Sequence, residues 1–233
     1  MTRPGQNALL YCSVAPQLSG VHLVMNPADA AVSGGQIVTF NGPQTITQAS
    51  AALRAAYTAS DSDFAGNPSA SFDGDGTTTW NTYPLSLTGL TQVEVFAVLR
   101  SANTGSVGGK TGLWTIGSSF AAVHYAWLDG EWYEDTGSTV RRDVGAPGAA
   151  VNTTHLLNIA SGAGSYNIWR NGSLFFSTST NTVGVSGAAQ FGKSSGNYCY
   201  SGKLAYLVLC SQLQSQPQRD AQTAFLKARY GIP

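Results

Sequence analysis

Acidic residues cluster once in this chain, in the stretch Asp129-Gly130-Glu131-Trp132-Tyr133-Glu134-Asp135. Two carboxyl groups about 5–5.5 Å apart are what a retaining glycoside hydrolysis needs, one as acid and one as nucleophile. Along an extended strand, Asp129, Glu131 and Asp135 share a face by parity. Gly130 interrupts that strand, and Glu94, Glu131 and Glu134 are the only glutamates present. The stretch therefore also reads as a solvated hairpin flanked by Trp127, Trp132 and Tyr133. We expect no hydrolase and no enzyme from it.

Other catalytic constellations are missing. His22, His124 and His155 are scattered and have no zinc-ligand spacing. No G-x-S-x-G elbow supplies a nucleophile. The histidines read as satisfied core or strand residues. Asp61-Ser62-Asp63 and Asp73-Gly74-Asp75-Gly76 offer oxygens for calcium, which wants six to eight of them. Asp and Gly are also ordinary turn residues. We expect no cofactor, with Asp73 and Asp75 as the calcium candidates.

Sugar recognition without catalysis uses exposed rings against sugar faces and polar groups for the hydroxyls. The rings near loops are Tyr125, Trp127, Trp132, Tyr133, Tyr198 and Tyr200. Trp132 and Tyr133 are adjacent, so on a strand they point to opposite faces and one of them belongs to the core.

Composition limits the partners. Twelve basic and twelve acidic residues cancel, and charged residues make up 10% of 233, against about 25% in typical domains. No field gathers phosphate backbones, so we expect no nucleic acid. No run of eighteen apolar residues predicts a membrane span, and the N-terminal stretch lacks a signal peptide's apolar core. Cys12, Cys199 and Cys210 have no CxxC spacing. They read as buried small hydrophobes, or Cys12 as a link to a neighbouring copy.

The elements that must position these residues are short strands. Apolar runs recur at Leu9–Val14, Val21–Met25, Gln36–Phe40, Ser69–Phe72, Val93–Arg100, Leu113–Ile116, Ala121–Trp127, His155–Ala160, Ser165–Arg170, Ser173–Ser177, Ala188–Phe191 and Leu204–Cys210. Gly, Asn, Asp or Pro separates them, the pattern of an antiparallel sandwich or barrel. Asn171-Gly172 suits the two positive-φ positions of a type I′ hairpin turn.

One helix is predicted, over about 215–230. Ser215 and Gln218 form a capping box, Pro217 fits the first turn, and Gly231 suits the left-handed stop. Ala221, Ala224, Phe225 and Ala228 have the spacing of one buried face. Residues 1–20 read as an N-terminal arm or docking strand, and 21–233 as the body.

Several segments follow one order: Thr47-Gln48, Gly66 through Gly74, Val93–Arg100, His155-Leu156-Leu157, Ile168 through Gly172, Phe191-Gly192, Tyr200 through Leu209, and Phe225 through Ile232. This order resembles the concanavalin A-like lectin/glucanase superfamily, in its laminin-G-like branch common in bacteriophage structural proteins. The resemblance covers about residues 35–233. It implies an all-β, two-sheet antiparallel jelly-roll sandwich of roughly a dozen strands with one C-terminal helix. It also implies that the alanine-rich Gln48–Ala59 is extended. Glucan-hydrolysing members carry acids as Glu-x-Asp-x-x-Glu on one strand, an order the 129–135 stretch does not have.

With the low charge and the Ser/Thr/Gly/Ala-rich composition, the resemblance leads us to expect a non-enzymatic bacteriophage virion surface protein. It would be a capsid decoration or tail-associated adhesive module, located on the virion, with other virion proteins and copies of itself as partners. The alternative is a carbohydrate-binding module that recognises host surface glycans.

Overall fold

The computed structural model describes residues 15–73, 80–102, 108–119, 121–147, 151–196 and 198–233. The short apolar runs fold as strands: β1 (Val21–Met25), β2 (Ala30–Ser33), β3 (Gln36–Phe40), β4 (Ile46–Thr47), β5 (Ala56–Asp61), β6 (Asn67–Asp73), β7 (Tyr83–Pro84) and β8 (Val93–Ser101). They continue with β9 (Trp114–Gly117), β10 (Tyr133–Glu134), β11 (Arg142–Asp143), β12 (His155–Gly162), β13 (Ser165–Arg170), β14 (Ser173–Thr178), β15 (Val185–Phe191) and β16 (Ser201–Cys210). One helix, α1 (Gln216–Tyr230), ends the chain.

All the strand pairs are antiparallel. The large sheet runs β14-β13-β12-β8-β16-β6-β5-β3-β2, with β1 also on β16 and β4 on β3. A three-stranded sheet, β7-β15-β9, lies apart from it, and β10 and β11 form a ribbon. The architecture is the expected β-sandwich with a single C-terminal helix.

The central strand β8 shows why its sequence, VEVFAVLRS, is almost continuously apolar. Val93, Val95, Ala97 and Leu99 face the main core, together with Trp114 and Phe191 of the small sheet. Phe96 and Val98 face the other way, into a second cluster with Leu226, Tyr230 and Ile232 at the end of the chain. A strand buried on both faces loses the alternation that a half-exposed one shows. In β16 the register slips between Leu204 and Tyr206. The slip keeps Leu204 and Leu207 in the main core while Ala205 and Val208 meet the helix side.

Glu94 lies on that helix side. Its two carboxylate oxygens accept from Arg219 Nε at 2.8 Å and Nη2 at 3.0 Å. Asn158 Nδ2 (3.0 Å) and the Gln214 amide (2.8 Å) complete the shell. The Arg219 guanidinium lies 4.4 Å from the Trp169 ring centroid. Thus Trp169 is a shelf for the helix anchor.

Three expectations are corrected here. The buried face of α1 is Gln222, Leu226 and Tyr230, and Ala221, Ala224 and Ala228 are exposed; Phe225 is half-buried. Longer side chains reach the sheet where alanines cannot. Ala121–Trp127 is not a strand; His124 makes only an isolated bridge to Tyr133. Within Gln48–Ala59, a 3₁₀ turn at Ala51–Leu53 separates β4 from β5. The extended parts survive the alanine content because the sheet supplies their partners.

The run Leu9–Val14, Cys12 and most of the N-terminal arm lie outside the described residues. At the edge of the arm, the Ser19 amide donates to Gln214 Oε1 at 2.8 Å and Leu18 packs on the second cluster. Cys199 and Cys210 are buried, and burial pushes the Cys210 thiol up to about 12.

Candidate functional site

The stretch Ala121–Trp127 is extended enough for its side chains to alternate. Val123 and Tyr125 enter the main core, whereas Ala122 and His124 face a cavity of about 320 Å³. Trp127, Tyr133, Arg141 and Tyr198 line the same cavity. The His124 and Tyr133 backbones exchange two hydrogen bonds of 3.0 Å, which fixes Tyr133 beside the histidine. A tight turn over 127–131, closed by Gly130 N to Trp127 O (3.0 Å) and Trp127 N to Glu131 O (2.7 Å), presents the indole. Tyr198 comes from a distant loop. Its ring centroid is 4.6 Å from His124 and 5.3 Å from Trp127, both nearly perpendicular.

Polar groups complete the wall. Thr111 Oγ1 donates its one hydrogen to Gly108 O at 2.7 Å, so at 2.8 Å it accepts from His124 Nδ1. That assignment leaves Nε2 as a hydrogen-bond acceptor. Burial, then the Arg141 charge, push His124 down to about 4, so the ring is neutral at pH 7. Arg141 is exposed, lies 4.7 Å over the Tyr133 ring and donates to Ala122 O at 3.0 Å. Asp129 Oδ2 accepts from Tyr133 OH at 2.8 Å, which holds the ring upright and raises the phenol. The Glu131 amide, first, and that hydroxyl lower the Asp129 carboxyl.

Of the six rings expected at a sugar site, Trp127, Tyr133 and Tyr198 meet here. The other three are core. Tyr125 is 1% exposed and shares a 2.7 Å hydrogen bond with His155 Nε2. Trp132, as parity required of one of the pair, is buried, stacked on Phe175 at 5.5 Å and bonded to Glu134. Tyr200 is 1% exposed and its hydroxyl bonds Arg100 O at 2.7 Å. His124 and Arg141 were missed. The sequence signal for His124 was the alternation of small or polar with apolar residues along 122–125; nothing in the sequence pointed to Arg141.

The carboxylates do not form a shared face. Asp129 is at the exposed tip of the turn, Glu131 is half-buried and Asp135 is buried. Glu134 is enclosed by Trp114, Trp132, Thr136 and the Asp135 amide. Burial, then the charge of Asp135, raise it to about 7. Asp61 and Asp63 hold Lys203 at 2.9 and 2.7 Å, and Asp63 also pairs with Arg100. The chain's own cations thus occupy that calcium candidate. Asp73 sits exposed at the end of β6, and Asp75 lies outside the described residues. Among the described residues no group of three His, Cys, Asp or Glu is placed to hold a metal. None of their helices is long and apolar enough to cross a membrane.

No family model and no curated protein matches the chain. Solved structures do resemble it. Trypanosoma rangeli sialidase in complex with the inhibitor DANA aligns over 92% of this chain and 34% of its own, at 10% identity and a TM-score of 0.59. A botulinum neurotoxin type C structure, described by dependence of cell entry on two ganglioside molecules, aligns over 82% and 51%, at 6% identity and a TM-score of 0.50. Domain 4 of AbnA, an arabinanase from Geobacillus stearothermophilus in complex with arabinotriose, aligns over 74% and 80% at 14% identity, with a TM-score of 0.49. The chain therefore spans about a third of the sialidase and half of the toxin structure. The shared fold is a lectin-like β-sandwich. The sialidase likeness corrects the expectation of a non-enzyme: this fold occurs within an enzyme, so scattered acids and histidines do not exclude catalysis.

Proposed function

We propose that the chain is a carbohydrate-binding, lectin-like module and that the cavity around His124 is its glycan site. One observation carries this reading: the rings of Trp127 in the 127–131 turn, Tyr133 in β10 and Tyr198 in a distant loop converge with a neutral histidine and an exposed arginine around one concave surface. Rings take the apolar faces of a sugar, and His124 Nε2 and Arg141 take its hydroxyl or carboxyl groups. Two neighbours whose descriptions name a ganglioside or a sialidase inhibitor support it. So does the laminin-G-like order of motifs.

Trp127→Ala is expected to weaken glycan binding about tenfold, the worth of about 1.4 kcal/mol of ring contact, with the melting temperature unchanged. Titration calorimetry with the best hits of a glycan array measures it. An array without hits, run at concentrations that detect millimolar affinity, ends the reading.

A place on a virus particle is a separate proposal, supported by the low charge and Ser/Thr/Gly/Ala-rich composition. Because Leu18 and Ser19 pack on the body, the truncation that tests it removes residues 1–14. The truncated chain is expected to fold and to be lost from purified particles. Its normal incorporation would remove the arm from the docking role.

A further inference from the structure

A second cavity, of about 240 Å³, lies on the other side of the Ala121–His124 segment. Ala121 and Val123 line it, as Ala122 and His124 line the first, so the two cavities share a wall one chain thick. Its floor comes from the small sheet. Residues of even number in β15, among them Ala188 and Gln190, face it, while Ala189 and Phe191 enter the core.

Four buried side-chain atoms have no hydrogen-bond partner among the described residues, and two of them, Asp135 Oδ1 and Ser194 Oγ, belong to residues lining this one cavity. Asp135 is 2% exposed and Ser194 is fully buried. The other Asp135 oxygen accepts from Ser119 Oγ. Asp135 reaches its place only because Gly117 has no Cβ, which would stand 2.6 Å from Oδ1. Burial raises the Asp135 carboxyl, although the hydroxyl and amide of Ser119 and the Gly117 amide favour its anion. Buried polar groups are almost always satisfied, and exceptions mark a role or a missing partner.

We propose that this cavity holds a neutral, hydroxyl-rich sugar unit, as a second subsite of a glycan that also occupies the aromatic cavity. A ligand hydroxyl donates to Asp135 Oδ1, and a second exchanges a hydrogen bond with Ser194 Oγ. Gln190 serves further hydroxyls. The charges select against ions of either sign. Asp135 repels an anion at the floor. Lys193, lying 3.7 Å from the Trp80 ring centroid, repels a cation. One carboxylate with neutral neighbours also falls short of a calcium shell. The identity of the shared ligand rests on the glycan reading of the aromatic cavity; the need for hydroxyl partners does not.

The test is a titration of the ¹⁵N-labelled full chain with glucose, galactose, mannose, lactose and maltose, followed by amide chemical shifts. A disaccharide is expected to move Thr115, Gly117 and Ser194 together with Ala122, His124 and Tyr198. Ala188→Trp fills the cavity from an exposed position. It is expected to abolish the first set of shifts, keep the second, and weaken disaccharide binding about tenfold. Asp135→Asn should weaken it similarly, and Trp127→Ala should spare the first set. Shifts confined to the second set overturn this proposal and leave the aromatic site standing. Shifts confined to the first set sustain a sugar site in this cavity, overturn its sharing of one glycan with the aromatic cavity, and remove the aromatic site. No shifts with any of the five sugars, or unchanged binding in a folded Ala188→Trp, overturn it.

Discussion

Replacing Arg219 with alanine is expected to lower the unfolding free energy by about 3–5 kcal/mol, a large share of what holds a domain folded. The size follows from what remains. Glu94 is fully buried, and its charge loses the bidentate partner while keeping only Asn158 and the Gln214 amide. A buried ion stripped of its counter-ion costs far more than a surface pair is worth. Trp169 also loses the guanidinium stacked on it. Urea unfolding at neutral pH measures the effect. The double variant Glu94→Leu, Arg219→Met should recover most of it, because apolar groups of similar size can replace such a pair. A loss below about 1 kcal/mol in the single variant would place the pair in the class of exposed salt bridges.

This anchor also shows where the sequence stops being readable. VEVFAVLR reads as a buried strand, and Glu94 within it looks like a defect until the helix supplies Arg219 from 125 residues away. Such partners leave no local trace. What was local was legible. Val21–Met25, Gln36–Phe40 and Ser165–Arg170 match their strands to the residue, since each is a short apolar or alternating run between turn residues. Asn171 (φ 51°) and Gly172 (φ 87°) make the hairpin turn their types demand. β2 escapes the sequence because AAVS is small or polar, and only pairing with β3 makes it a strand; the start of β5 is reached only through the family resemblance, since AYTASD too depends on pairing with β6.

The cavity around His124 was half legible for the same reason. Loop aromatics could be named, but separating Tyr133 from Tyr125 needs the chain that packs behind each. Tyr125 is claimed by His155 of β12, Tyr200 by the carbonyl of Arg100 in β8, and neither partner is a sequence neighbour. Trp127, Tyr133 and Tyr198 were left over by the core. His124 reads as a core or strand histidine, and it is buried at 4% exposure and bonded to Thr111; nothing nearby in the sequence shows that its ring also lines a cavity. Of the two orphaned groups of the second cavity, Asp135 stands out in the sequence only as a member of the acidic stretch, and Ser194 looks like an ordinary turn residue.

Between pH 7 and pH 4, the stability advantage of the parent chain over His155→Gln is expected to shrink by about 3 kcal/mol. His155 Nδ1 faces the Thr153 carbonyl at 2.7 Å and must carry the hydrogen, so Nε2 is bare and accepts from Tyr125 OH. Protonating Nε2 would set two donors against each other inside the core. Burial, then the Arg170 charge, push this imidazole down to about 3, well below its unfolded value near 6.5. With the folded value depressed, the unfolded chain takes up a proton that the folded chain refuses. The contribution is therefore complete above pH 6.5 and is lost as pH falls toward 3. Glu134 works in the opposite sense. Raised to about 7, it stabilises below pH 4.5 and loses that contribution as pH rises through 7. The acid limb of the parent alone thus mixes both signs, and the comparison with His155→Gln removes the Glu134 and His124 contributions common to the two chains. Urea midpoints of both proteins at several values between pH 4 and 7 supply the difference. Parallel curves would mean that His155 keeps its ordinary affinity for protons in the folded chain, and that the core around Tyr125 admits the charge.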